Sequence, residues 1–388
     1  MSNDTKARQF VMPEGVFVGV EALQLAEQSI ISLGKKALIV MGKVNLSMNT
    51  HGPLMALLEK NNIAYVVYAG ILSEPTVEMV EEGLAIYKEN QCDFLVGVGG
   101  GSPMDAMKAI GALVANPGNI TEYVGKLIGG AVPPMVAIPT TAGTGSEATQ
   151  ISIISDLKTN VKMILKGRPL VPTVAVVDPK LTVSSPKKLT VATGLDALCH
   201  SVESYTSLLA QPMTDTVAMA SVKRIFANLE KAFKNGDDLE ARMEMSLAAL
   251  EGGIAINNAS VTLIHGMSRP IGAVFHVPHG MSNAMLMGVC LKFAMEGARE
   301  QFAELGRGIG VATATDDDSV ASENFIIALE ELLKAVEVPT LTEYGIDKEK
   351  FFEMIPKMAN DAMVSGSPQN TRREMTKEII EELYKKLW

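Results

Sequence analysis

Apolar positions follow two patterns along the chain. Up to about residue 180, short runs that are hydrophobic on both faces alternate with segments of helical period. The runs at 36–41, 64–69, 93–98, 134–138 and 173–177 are rich in β-branched residues and read as buried strands. Residues 10–18 read as a strand pair broken at Pro13-Glu14-Gly15. Between them 21–33, 53–61, 77–90 and 103–115 read as helices, with Thr76 capping the third. Strands buried on both faces and alternating with helices imply a parallel sheet covered by helices. From 189 onward no strand pattern remains. Helical periods run through 194–207, 214–234, 239–257, 259–267, 283–305, 319–336, 348–359 and 371–387. The change falls near 180–188, at Asp178-Pro179 and Ser184-Ser185-Pro186, and predicts two domains, 1–183 and 184–388.

Composition narrows the class. The chain is 47% hydrophobic and 20% charged, enough for a large core, and its net charge of −10 is spread without a block of one sign. That argues against nucleic acid or an anionic membrane as partner. Cys92, Cys199 and Cys290 are scattered in apolar runs without a CxxC, as expected of free thiols in a reducing cytoplasm. The opening residues are polar, without the apolar stretch of a signal peptide, and no apolar run reaches the ~20 residues of a spanning helix. The 23 methionines sit at helix-period positions and read as core filling.

Four of the five histidines, His200, His265, His276 and His279, fall between Asp196 and Gly280. Asp196 and His200 are spaced i, i+4, which places both on one helix face. His265 lies on another helix, and His279 follows it by fourteen residues, after Val277-Pro278. Asp196, His200, His265 and His279 together offer one carboxylate and three imidazoles, a donor set that zinc and ferrous iron both accept. With neutral imidazoles the site carries net charge +1 and suits Lewis-acid work on a bound oxygen. Spacing alone leaves open that these imidazoles are merely hydrogen-bonded on apolar faces.

A second constellation lies in the first half. The strand at 93–98 runs into Gly99-Gly100-Gly101-Ser102 and then a helix. Glycines let a phosphate approach the backbone, and free N–H groups at a helix start attract it. Ser102 fits the N-cap, Pro103 the first helical position, and Asp105 a capping-box-like pattern; a well-capped helix is the alternative reading. After the next strand comes Thr140-Thr141-Ala142-Gly143-Thr144-Gly145-Ser146-Glu147, whose hydroxyls and glycines suit phosphate and ribose. Loops at the carboxyl ends of successive strands are where open α/β sheets bind ligands.

With these residues in view, nearly the whole chain resembles the iron-containing (group III) alcohol dehydrogenases. The matching motifs are GGGSPMDAMK at 99–108, PTTAGTGSE at 139–147, GLDALCHSVESY at 194–205, HGMSRPIGAVFHVPHG at 265–280 and NTRREMTKEII at 370–380, in the family's order. The resemblance implies an α/β N-terminal nucleotide-binding domain with a Rossmann-like parallel sheet. It also implies an all-α C-terminal metal-binding domain, together the dehydroquinate synthase-like fold. It implies Asp196, His200, His265 and His279 as ligands of Fe2+, with Zn2+ the alternative metal. It implies Gly99, Gly100, Gly101, Ser102, Asp105, Thr140, Thr141 and Thr144 as contacts of NAD or NADP. The expected reaction is hydride transfer between NAD(P)(H) and a small aliphatic alcohol or aldehyde, in a homodimer or larger homo-oligomer.

Three departures bear on this. Where the family often has a histidine four residues after the third ligand, this chain has Arg269. His276 is the candidate replacement as a proton relay. Ile256, Val261 and Phe275 flank the expected site and make its lining apolar. Arg269 reads as a surface arginine; facing the site, it would favour a carboxylate-bearing substrate. The alternatives are therefore a hydroxyacid–oxoacid transhydrogenase, or a dehydrogenase of a small hydroxy acid or polyol. Where NAD-preferring members often have an acidic residue, this chain has Gly42 followed by Lys43, which tolerate a 2′-phosphate and lean towards NADP. The usual Pro-Asn-Pro reads Ser73-Glu74-Pro75.

Overall fold

A computed structural model describes residues 6–72, 74–159 and 161–388, so Ser73 lies outside the described residues. The chain forms two compact units: Val11–Ser185, and Pro186–Trp388 together with residues up to Phe10. The division falls two residues beyond the expected 183/184. Residues 6–10 group with the later unit, where the Gln9 carbonyl accepts a hydrogen bond from Gln211 Nε2 at 3.2 Å.

The first unit is built on a six-stranded parallel sheet. Its strands are β1 (Gly15–Val18), β2 (Lys36–Met41), β3 (Ala64–Tyr68), β4 (Phe94–Gly99), β5 (Met135–Pro139) and β8 (Val174–Val177), in the order β1-β8-β5-β4-β2-β3. Its helices are α1 (Ala22–Leu25), α2 (Glu27–Ile31), α3 (Lys43–Ser47), α4 (Gly52–Lys60), α5 (Val77–Glu89) and α6 (Gly101–Ala115). The alternation within each strand explains the two-sided burial. Leu38 and Val40 of β2 join a cluster with Met104, Met107 and Ile110 of α6. Ala37, Ile39 and Met41 face the other way, into a cluster with Ile30 of α2 and Leu54 and Leu58 of α4. The order reverses between β2 and β4, where such sheets open a crevice for ligands at their carboxyl ends. Met41 pairs in register with Val98 and Gly99 with Pro139, so the segments after β2, β4 and β5 emerge side by side.

One expectation fails here, and one element is new. Residues 10–18 hold one strand, β1, paired only with β8, not a strand pair. An antiparallel hairpin, β6 (Ile151–Asp156) with β7 (Val161–Lys166), was not foreseen. It alternates half-buried and buried side chains, a weaker signal than the doubly buried runs.

The second unit is helical: α7 (Lys187–Thr206), α8 (Pro212–Lys234), α9 (Leu239–Ala259), α10 (Leu263–Phe275), α11 (His279–Met295), α12 (Arg299–Gly308), α13 (Asp318–Ala335), α14 (Leu341–Tyr344), α15 (Lys348–Val364) and α16 (Lys377–Lys385). No strand occurs there among the described residues. The single helix expected over 283–305 is two, because α11 ends at Met295 and α12 starts at Arg299. Helix α7 is buried from Thr190 to Thr206 except at the half-buried Thr193, and packs against α8, α9 and α11. A helix buried all round must pair every polar side chain it carries. Asp196, His200, Ser201, Glu203 and Ser204 are all such residues. Helices α9 and α10 meet at 104°, across Ser260, whose φ of 64° and ψ of 174° are backbone angles that glycine favours. No single helix among the described residues is long and apolar enough to cross a membrane.

Candidate metal centre and nucleotide loops

The four candidate metal-site residues converge within the helical unit. Asp196 and His200 project from α7 one turn apart. His265 comes from α10, and His279 is the first residue of α11. The Asp196 carboxylate is the hub: Oδ1 lies 3.6 Å from His200 Nε2, 3.7 Å from His265 Nε2 and 3.6 Å from His279 Nε2. Asp196, His265 and His279 form the tightest set, one donor atom of each lying within 4.8 Å of the others. His200 joins through Asp196 and by stacking on His265, ring centroids 4.9 Å apart. Burial pushes the Asp196 carboxyl up, but the three imidazoles and Asn283 outweigh it and hold it below the usual carboxylate range. Burial holds His265 well below the usual imidazole range, so the ring is neutral, as a ligand must be.

Two supporting residues were missed by sequence reasoning. Glu203, on α7 seven residues after Asp196, is fully buried. Its Oε2 lies 2.5 Å from His265 Nδ1, and its Oε1 accepts from Thr262 Oγ1 at 2.9 Å and from the Ile264 N–H at 2.6 Å. With Nδ1 held as the donor, His265 Nε2 is left bare towards Asp196, the arrangement that orients metal-bound histidines. Asn283, one turn after His279 on α11, donates from Nδ2 to Asp196 Oδ1 at 2.7 Å and lies 3.3 Å from both His265 Nε2 and His279 Nε2. A carboxylate and three imidazole nitrogens converging with no cationic side chain among them fit a divalent cation. The donor set suits iron or zinc.

The neighbouring expectations fare differently. His276 is exposed and ends α10 in the left-handed conformation, φ 56°; it is not part of the donor set. Arg269 is not a surface arginine. It is half-buried, Nη1 donates to Ser367 Oγ at 3.0 Å, and burial lowers its pKa. Of the three apolar candidates, Val261 is buried, Ile256 half-buried, and Phe275 stacks on Phe351 with centroids 5.7 Å apart.

In the α/β unit, Gly42, Gly99–Ser102 and Thr140–Thr144 all follow carboxyl ends of adjacent strands β2, β4 and β5. The Thr140 N–H donates to the Gly99 carbonyl at 2.9 Å. Gly99 has φ +148°, and a Cβ there would stand 2.7 Å from Pro103 Cγ. A Cβ on Gly101 would stand 3.0 Å from Thr144 Cγ2, so the two loops touch. These glycines leave a bare backbone cradle at the start of a fifteen-residue helix, which fits a pyrophosphate. The cap differs from expectation: Gly100 is the N-cap, and Ser102 and Pro103 lie inside the first turn, where N–H groups have no helical partner. Asp105 closes no capping box; its carboxylate accepts from Ser146 Oγ and the Ile153 N–H. Asn45 of α3, not singled out from sequence, reaches this crevice, with Oδ1 accepting from Thr140 Oγ1 at 3.4 Å.

A parallel sheet with a glycine cradle at the start of α6, in one chain with a buried carboxylate–imidazole cluster, fits the class of metal-dependent enzymes that work with a nucleotide. Comparison with known proteins narrows this. The family model described as iron-containing alcohol dehydrogenase matches residues 13–179, and that for the C-terminal part of the Fe-containing alcohol dehydrogenase family matches 190–388. The chain is 33% identical over 389 residues to a choline dehydrogenase of Bacillus subtilis, covering 98% of this chain and 95% of that one. It is 35% identical over 364 residues to the NAD-dependent methanol dehydrogenase of Bacillus methanolicus, covering 93% and 95%. A crystal structure of a 1,3-propanediol oxidoreductase superposes with a TM-score of 0.95 at 31% identity, covering 99% of this chain and 100% of that one. The chain belongs to the iron-containing alcohol dehydrogenase family, and is a metal-dependent, NAD(P)-linked oxidoreductase acting on alcohols.

Proposed function

We propose that this chain interconverts small primary alcohols and their aldehydes, with Fe2+ held by Asp196, His200, His265 and His279. Zn2+ is accepted by the same donors. The observation that carries the reading is the convergence of three imidazole Nε2 atoms within 3.7 Å of one buried carboxylate oxygen. When bound, the metal supplies Lewis acidity to the alcohol or carbonyl oxygen, and the nicotinamide exchanges hydride with the carbon. The chain's own groups bind and orient. Glu203 fixes the His265 tautomer, and Asn283 holds the Asp196 carboxylate. The amides and hydroxyls of Gly99, Gly100, Gly101, Ser102, Thr140, Thr141 and Thr144 take the nucleotide, and His276 passes a proton to solvent.

Gly42 and Lys43 set no carboxylate against a 2′-phosphate, so NADP(H) is preferred or both nucleotides are accepted. The substrate class rests on the relatives, whose names specify choline, methanol and 1,3-propanediol, all primary alcohols. The Arg269 guanidinium already serves Ser367, which disfavours a carboxylate-bearing substrate. The unpaired, buried Cys92, Cys199 and Cys290 suit a reducing cytoplasm. The edge strand β1 is the natural place for two copies to join into a homodimer or larger assembly.

Anaerobic purification with elemental analysis is the direct test, followed by alcohols and aldehydes assayed with NADH and NADPH side by side. About one divalent metal per chain is expected. If His265→Ala keeps both metal and activity, the ligand assignment is wrong. A strict preference for NADH overturns the reading of Gly42.

A further inference from the structure

The α/β unit carries a buried polar cluster that a well-packed core does not need. Lys108, two turns into α6, is 0% exposed. Its Nζ donates to the Ser146 carbonyl at 2.6 Å, Ser146 Oγ at 2.8 Å, Thr149 Oγ1 at 3.0 Å and the Ile151 carbonyl at 2.9 Å. An ammonium has three protons, so four acceptors leave none of them idle. Asp105 lies three residues earlier on the same helix face. Its Oδ1 accepts from Ser146 Oγ at 2.7 Å, its Oδ2 from the Ile153 N–H at 3.0 Å, and its backbone carbonyl from Ser152 Oγ at 2.7 Å. The Ser146 hydroxyl therefore accepts from Lys108 and donates to Asp105, joining the two charges through one atom.

The two anchored segments are the phosphate helix and the stretch after the Thr140–Thr144 loop. Apolar side chains would fill the same volume at lower desolvation cost, so the bridged charges add a fixed geometry more than they add stability. The geometry it fixes is the contact between the glycine cradle and the threonine loop. There Thr144 lies against Gly101, where a Cβ would stand 3.0 Å from Thr144 Cγ2. Both Asp105 carboxylate oxygens are spent on protein donors, and a carboxylate aimed at a phosphate would repel it.

We propose that Asp105, Lys108 and Ser146 form a buried clasp that sets the spacing of the two nucleotide loops, so that these residues position the nucleotide site without touching the nucleotide. The proposal rests on the nucleotide reading of those loops. It reassigns Asp105 from contact to positioning residue, and it gives Lys108, the final residue of GGGSPMDAMK, a task. Burial lowers the Lys108 pKa to about 8, with the neighbouring Asp105 and Glu147 carboxylates opposing that shift.

Three variants of the full-length, metal-loaded chain test this. Ser146→Ala deletes the shared hydroxyl and leaves Lys108 three acceptors. Asp105→Asn keeps an oxygen for Ser146 but sets an NH2 against the Ile153 N–H. Ser146→Thr returns the hydroxyl. NADH and NADPH binding is read by titration calorimetry, loop order by amide hydrogen exchange over 140–153, and metal by elemental analysis. Ser146→Ala and Asp105→Asn are expected to bind nucleotide about tenfold more weakly, with faster exchange in 141–149 and unchanged metal content. Nucleotide KM rises while aldehyde KM at saturating nucleotide does not, and Ser146→Thr regains affinity. If both variants bind as the wild type does while only the melting temperature falls, the clasp is merely structural and the proposal fails. It also fails if Asp105→Asn alone weakens binding, which would make Asp105 a contact. A wild-type chain that binds neither nucleotide overturns the functional reading itself, an outcome distinct from both.

Discussion

The sharpest single perturbation is Glu203→Gln, which preserves volume while replacing one carboxylate oxygen with an NH2. Glu203 has two jobs. Its Oε1 takes the Thr262 hydroxyl and the Ile264 N–H, and its Oε2 meets His265 Nδ1 at 2.5 Å. A carboxamide has one acceptor oxygen and an NH2, so it cannot do both. With the oxygen at the Oε1 position, the NH2 faces His265 Nδ1, which must then become an acceptor. A neutral imidazole carries one proton, so that proton moves to Nε2, the nitrogen that must be bare to hold a metal. With the oxygen at the Oε2 position the tautomer survives, but donors confront donors at Thr262 and Ile264. Loss of such a supporting partner weakens metal binding about 10–100-fold, or about 1.4–2.7 kcal/mol. Competition of the purified protein against a chelator of known Zn2+ affinity measures this, with bound metal counted by elemental analysis. Wild-type metal affinity in Glu203→Gln would refute the argument that Glu203 sets the His265 tautomer.

Three further predictions follow from particular residues. Burial pushes the Glu147 carboxyl up from 4.5 to about 7, so the folded chain keeps a proton that the unfolded chain releases across that window. Stability is full below the unfolded pKa and falls as pH rises through 7, by about 3 kcal/mol at about 1.4 kcal/mol per unit. Urea unfolding of Glu147→Gln and wild type should show a gap in favour of the variant that widens between pH 5 and pH 8; a constant gap contradicts it. Gly99→Ala places a Cβ 2.7 Å from Pro103 Cγ at a φ of +148°. It should cost about 1–3 kcal/mol in strain and weaken nucleotide binding in calorimetry, with metal content as the unaffected control. His276→Asn keeps a residue that tolerates the left-handed turn while removing the imidazole. A relay role predicts a loss in kcat of about a hundredfold, partly restored by added imidazole, whereas wild-type kcat would leave His276 only its turn.

The buried runs at 36–41 and 93–98 were legible because both faces of a parallel sheet are covered, so its strands need few polar residues. The start of α7 was not, and Gly194 shows why. Read alone, it marks a helix boundary, yet the helix begins at Lys187, directly after Pro186. Gly194 is inside it because a Cβ there would meet Leu229 Cδ1 of α8 at 2.5 Å, a fact about packing that no local pattern contains. The cap of α6 moved for a related reason. Ser102 is a good capping residue, but the backbone had already turned at Gly99, the position whose φ only glycine takes readily.

The metal centre divides along the same line. Asp196, His200 and Glu203 share one face of α7 at i, i+4 and i+7, so the helical period that found the first two could have found the third. A carboxylate in a helix otherwise buried all round was the available signal. Its partner was not available, because Ile264 and His265 reach Glu203 only through the 104° bend between α9 and α10. That bend passes through Ser260, held at φ 64° where glycine would be at ease, with Asn370 Nδ2 on its hydroxyl at 3.3 Å and on the Val261 carbonyl at 3.0 Å. The strained turn thus sets the direction of α10, α10 sets His265, and Glu203 sets its proton. Spacing singles out the candidate donors, but the order in which the chain fixes them is a property of tertiary contacts.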